Sequence, residues 1–125
     1  MRDEARILVV DDEEEVRQLV AEFLEIRGYS VITAATGLEA LTAVKHYRPD
    51  LVLMDIMMPG MTGLETLQRI REIDQRVGVI MLTAVDDEAV AREAMRREAY
   101  DYITKPLDFG YLELAILTKL ARTVR

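Results

Sequence analysis

Three aspartates, a threonine and a lysine stand at the ends of apolar runs in this 125-residue chain. Asp11 and Asp12 close ILVVDD, Asp55 closes LVLMD, Thr83 closes VGVIMLT and Lys105 follows YDYIT. If these runs are neighbouring parallel strands, their ends share one edge and the polar side chains converge there. Two unit charges about 4 Å apart repel by about 4 kcal/mol at an effective dielectric of 20. A carboxylate cluster of this kind therefore calls for protonation or for a cation. A hard divalent ion with oxygen ligands suits it, and Mg²⁺ typically takes one or two carboxylates together with phosphate oxygens. A carboxylate beside Mg²⁺ can serve as a nucleophile toward phosphorus. Lys105 can then neutralise phosphoryl oxygens, and Thr83 can donate a hydrogen bond to one.

The elements between these residues must bring them together. Ile7–Val10, Val31–Thr33, Leu51–Met54, Val77–Leu82 and Tyr100–Ile103 are apolar, β-branched runs that read as strands. Val16, Leu19, Val20, Phe23 and Leu24 recur at i, i+3, i+4, i+7 and i+8, the stripe of an amphipathic helix. Gly28 follows it, where a left-handed residue suits glycine. Ala40, Leu41 and Val44 mark a second helix with Thr36 as its N-cap, and Leu64, Leu67 and Ile70 a third starting at Thr62 or Gly63. Ala89, Val90, Ala94 and Met95 mark a fourth, and Leu112, Ala115, Ile116 and Leu120 a fifth. Five strands alternating with five helices predict an α/β fold with a parallel sheet covered on both faces. Right-handed crossovers leave few topologies, of which the flavodoxin-like strand order 2-1-3-4-5 is favoured.

Composition narrows the function classes. Half the residues are hydrophobic and 31% are charged, as in ordinary globular domains. The formal charge of −7 argues against direct nucleic-acid binding, because phosphates would be repelled. No stretch approaches the roughly 20 apolar residues of a membrane span. The opening MRDEARILVV lacks the long apolar region of a signal peptide. With no cysteine, a disulfide framework and a thiolate metal site are excluded, which fits the cytoplasm. The expectation is one domain over residues 1–125, either whole or cut from a longer protein.

Taken together, VVDDE, LVLMDIMMPGMTGLE, IMLTA and YDYITKPLD resemble the receiver domain of two-component response regulators. They occur in that family's order and spacing and cover essentially the whole chain. Each piece alone is a weak signal; the four together are specific. The resemblance implies that Asp55 accepts a phosphoryl group from the phosphohistidine of a sensor histidine kinase or phosphotransfer protein. It implies that Asp11, Asp12 and Asp55 bind Mg²⁺ with the backbone carbonyl of Met57, Asp12 directly and Asp11 partly through water. Thr83 and Lys105 match the family's hydroxyl and lysine, and Tyr102 its switch aromatic. Pro106 follows the lysine as in the family, where that bond is usually cis. Phosphorylation then alters the face made by the fourth helix, fifth strand and fifth helix. That face controls an output domain or partner and offers a homodimer surface. The two positions that tune phosphoryl lifetime are Met57 and Val85, both apolar, so self-dephosphorylation is expected to be slow. One departure is Glu98, which stands where the family commonly has glycine before the alanine that opens strand five.

Each of these residues has a plainer reading. Asp11, Asp12 and Glu13 suit an exposed helix start, where acids favour the helix dipole. Asp55 suits a turn, Thr83 a strand end, and Lys105 a solvated surface. Tyr102 suits a fixed core aromatic. His46, the one histidine, reads as solvated, the methionines as core and loop filler, and Arg92, Arg96 and Arg97 as a solvated or dimer face. Two other functions compete. A phosphohydrolase with an aspartate nucleophile needs a second acid two residues on, where this chain has Met57. A receiver used only for docking would lack a site residue, and none is missing.

Overall fold

A strand buried on both sides must be apolar at successive positions, and three runs of this chain satisfy that demand. The computed structural model describes residues 5–84 and 88–123. In chain order the elements are β1 (Arg6–Val10), α1 (Glu14–Ile26), β2 (Ser30–Ala34), α2 (Gly37–Tyr47), β3 (Leu51–Asp55), α3 (Gly63–Ile73), β4 (Gly78–Thr83), α4 (Glu88–Arg96), β5 (Asp101–Thr104) and α5 (Phe109–Thr123). Every residue of β3 and β4 is buried, as is β1 after Arg6. The sheet is wholly parallel in the order β2-β1-β3-β4-β5, as the sequence predicts.

Strand alternation sends successive side chains to opposite faces. Leu8, Val10, Val52, Met54, Val79 and Met81 pack with α2, α3 and α4 through Ala40, Val44, Leu67, Ile70 and Ala94. Ile7, Val9, Leu51, Leu53, Ile80 and Leu82 pack with Val20 and Leu24 of α1 and with Leu112 and Ile116 of α5. The predicted strands differ from these by at most one residue at each end, which places Asp55 and Thr83 inside β3 and β4. The apolar stripe of α1 is narrower than its spacing predicts. Val20 and Leu24 carry the buried side, whereas Leu19 lies on the flank and is 55% exposed. No helix among the described residues is long and apolar enough to cross a membrane.

The helix ends follow local chemistry. Thr36 accepts from the Glu39 amide, and Thr62 and Glu65 form a reciprocal capping box at the start of α3. After α1, Gly28 has φ +92° and Tyr29 N–H reaches back to the Leu24 carbonyl. The end of α4 repeats that turn without glycine: Glu98 has φ +71°, and Ala99 N–H donates to the Ala94 carbonyl over 2.9 Å. Arg71 of α3 supports the turn, with its Nη2 donating to the Glu98 carbonyl over 2.7 Å and its Nη1 to the Val77 carbonyl. A left-handed backbone costs a residue with a Cβ about 1 kcal/mol. Glu98→Gly should therefore raise the unfolding free energy by about 1 kcal/mol in denaturant titration. An unchanged or lower midpoint would show that glycine's greater freedom in the unfolded chain offsets the relief of strain.

Candidate functional site

The register of the sheet decides which side chains share its rim. Val10 lies opposite Met54, so the next residues, Asp11 and Asp55, emerge side by side. Asp55 pairs with Leu82 and Thr83 with Thr104, which brings Thr83 and the following Lys105 to the same edge. Asp11 and Asp55 are only 2% and 6% exposed, whereas Asp12 on the outgoing turn is exposed. One carboxylate oxygen from each of Asp11, Asp12 and Asp55 lies within 4.8 Å of the other two. Lys105 reaches between the buried pair, its Nζ 3.1 Å from Asp11 Oδ2 and 3.5 Å from Asp55 Oδ2. The Lys105 amide donates to the Thr83 carbonyl over 2.6 Å, and the Lys105–Pro106 bond is cis.

The second oxygen of each buried carboxylate is held by backbone. Asp11 Oδ1 accepts the Glu13 amide at 2.9 Å, and Asp55 Oδ1 accepts the Met57 amide at 3.2 Å. Gly63, the first residue of α3, lies against the exit of β3. A Cβ there would collide with the Asp55 carbonyl oxygen and come 2.6 Å from Ile56 Cα, while the Gly63 amide donates to the Ile56 carbonyl over 2.9 Å. Glycine at this position lets α3 close the loop that carries Met57. The Met57 side chain itself is 62% exposed.

Burial pushes the Asp55 carboxyl above the usual carboxylate range; Lys105 draws it down, Asp11 pushes it further up, and the Met57 amide offsets part of the rise. Burial alone would lower Lys105, but its hydrogen bond to Asp11 and the charges of both carboxylates outweigh that, so its ammonium is held above the ordinary lysine range. The site thus has a surplus of negative charge that one lysine does not cancel. An all-oxygen, carboxylate-rich donor set suits a hard cation such as Mg²⁺.

Of the residues singled out from the sequence, Asp11, Asp12, Asp55 and Lys105 come together, and Thr83 lies fully buried at the same rim. Tyr102 is half-buried against the core on the α4 side. Val85 lies outside the described residues. His46 is exposed on α2 with its ring edge-on to Tyr47. Arg92 pairs with Glu88, and Arg96 and Arg97 with Glu93, on α4 itself. Sequence reasoning passed over two groups. Arg17 donates from Nη1 to the Asp11 carbonyl over 2.7 Å, and Gly63 makes the close approach just described. A signal for Arg17 was present: it shares the i, i+3, i+7 stripe of Val20 and Leu24, an unusual place for a cation.

The model of the response regulator receiver domain matches residues 7–117. Sporulation initiation phosphotransferase F of Bacillus subtilis is 39% identical over 111 residues, 89% of this chain and 90% of that protein. Regulatory protein AtoC of Escherichia coli is 40% identical over 111 residues, but the chain spans only 24% of its length. Against the probable transcriptional regulator ycf27 of Cyanophora paradoxa, 41% identical over 118 residues, the chain spans 49%. Among solved structures, a receiver domain protein from Clostridium thermocellum superposes with a TM-score of 0.91 at 35% identity, covering 95% of this chain and 96% of that one. A CheY-like receiver domain protein from Methanospirillum hungatei JF-1 gives 0.92 at 31% identity, covering 96% of each chain.

A carboxyl whose pKa is raised by folding contributes stability that is complete below its unfolded value and is lost as pH rises through the folded one. Ionised Asp55 thus costs the metal-free protein stability at neutral pH. Asp55→Asn should melt at a higher temperature than the wild type at pH 7 in chelator, with the gap closing as pH falls into the carboxylate range. A variant that melts lower at neutral pH would mean that the Lys105 attraction outweighs burial.

Proposed function

This chain belongs to the receiver-domain family of two-component response regulators, and on that premise we propose that it is a phosphorylation-controlled switch whose acceptor is Asp55. The observation that carries this reading is the cluster at the rim, where carboxylate oxygens of Asp11, Asp12 and Asp55 lie within 4.8 Å of one another and Lys105 reaches the two buried acids. The donor is a phosphohistidine on a sensor kinase or phosphotransfer protein. An oxygen of Asp55 attacks the phosphorus in line with the phosphorus–nitrogen bond. That bond breaks, and the imidazole departs with its electron pair. The product is an aspartyl phosphate.

Asp11, Asp12, Asp55 and the Met57 carbonyl would hold Mg²⁺, which when bound neutralises charge on the transferring group. Lys105 already faces Asp55, so its ammonium can pass to a phosphoryl oxygen with little movement. Thr83 donates its hydroxyl to another of these oxygens. Its shift opens space into which Tyr102, half-buried on the α4 side, turns. The face of α4, β5 and α5 thereby changes shape, which acts on an output domain or partner protein and offers a surface to a second copy. This is a local charge event that biases a two-state element.

Asp55→Asn should abolish labelling by a phosphorylated kinase, and hydroxylamine-sensitive phosphate retained in the variant would reject the assignment. The apolar, exposed Met57 side chain gives no group to orient an attacking water, so the phosphoryl group should be long-lived. Met57→Asn or Met57→Glu should shorten its lifetime several-fold in a decay assay. Unchanged decay in both variants would count against that role.

A further inference from the structure

Among the helices whose start is described, α1 is begun differently from α2 and α3. Thr36 and Thr62 cap those two through their side chains, but Glu13 at the start of α1 makes no side-chain cap. The segment before it carries Asp11 and Asp12, where backbone placement matters most. Arg17, a half-buried residue on the inner stripe of α1, reaches back over the first turn and donates to the Asp11 carbonyl at 2.7 Å. At the other side of the same residue, the Asp11 amide donates to the Ala34 carbonyl of β2 over 3.2 Å.

The peptide plane that begins with the Asp11 carbonyl ends at Asp12. Holding that oxygen sets the plane, and the plane sets the direction in which Asp12 leaves the chain. The next peptide plane, hinged at Asp12, carries the Glu13 amide that holds Asp11 Oδ1. We infer that Arg17 is the positioning residue of the acid pair: its hydrogen bond to the Asp11 carbonyl presents Asp11 and Asp12 to a divalent cation. This inference rests on the reading that the acid cluster binds Mg²⁺, and it adds a residue that is neither a ligand nor in contact with the phosphoryl group.

The sign of the effect separates positioning from charge. A guanidinium near a bound dication repels it, so loss of the charge alone would tighten Mg²⁺ binding. Loss of a group that orients metal ligands instead weakens binding, typically 10- to 100-fold. Mg²⁺ affinity is measured by calorimetry on the unphosphorylated chain for wild type, Arg17→Met, Arg17→Gln and Arg17→Lys, with denaturant titration of each metal-free protein. Arg17→Met and Arg17→Gln should bind Mg²⁺ about 10-fold more weakly, and Arg17→Lys, which keeps a charged donor on a long stem, should fall between them and wild type. If Arg17→Met does not fold, Arg17→Gln carries the same comparison. Hydrogen exchange supplies a second readout: the Glu13 amide should exchange faster in the variants, while the Met57 amide on Asp55 should not. Equal or tighter Mg²⁺ binding in the folded variants overturns the role of Arg17 alone. A wild-type chain that does not bind Mg²⁺ overturns the cation reading together with it.

Discussion

Parallel strands that end at one rim force whatever they deliver into proximity, and here they deliver like charges. Asp11 and Asp55 are almost wholly buried, and Lys105 is the cation placed between them. Removing the lysine would leave two buried carboxylates without a counter-charge, a loss of a kind that commonly costs about 3–5 kcal/mol. The rest of the rim is arranged around that constraint. Backbone amides of Glu13 and Met57 take the remaining carboxylate oxygens, and Gly63 lets α3 pack against the exit of β3. A carboxyl raised by burial and an ammonium raised by its acids are what follow when two acids share one base.

The same constraint connects the rim to the far side of the sheet. Thr83 and Tyr102 lie near the ends of adjacent strands, and β4 and β5 pair in register from Ile80 and Asp101 to Thr83 and Thr104. A change at the Thr83 end is therefore one strand away from Tyr102 and from the α4 side of the core. Arg71 ties the other end of α4 to α3 and to the entry of β4 through the Glu98 and Val77 carbonyls. These bonds anchor the last turn of α4.

Much of this was legible in the sequence, because buried parallel strands leave continuous apolar runs and their polar ends stand out against them. Asp55 after LVLM and Asp11 after ILVV are such ends. Thr36, Thr62 and Gly28 were legible for a different reason: capping and left-handed turns depend on chemistry a few residues long. Arg71 was not, and Arg17 showed only as a cation on an apolar stripe, since what a long cation reaches depends on how its helix lies on the sheet. Leu19 shows the same limit, because helical spacing marks a stripe but not which flank the neighbouring helix leaves uncovered. Glu98 was visible only as a departure from a pattern. That departure leaves either a left-handed Glu98 or a different helix end; the fold decides for the left-handed backbone and shows the arginine that supports it.

The most direct test of the central claim is the titration of the Asp55 carboxyl itself, followed by carbon NMR of the side chain with and without Mg²⁺. The account predicts a carboxyl that titrates above the ordinary aspartate range in the metal-free protein and drops when Mg²⁺ is added. An Asp55 that titrates at or below the ordinary range and does not respond to Mg²⁺ would contradict it.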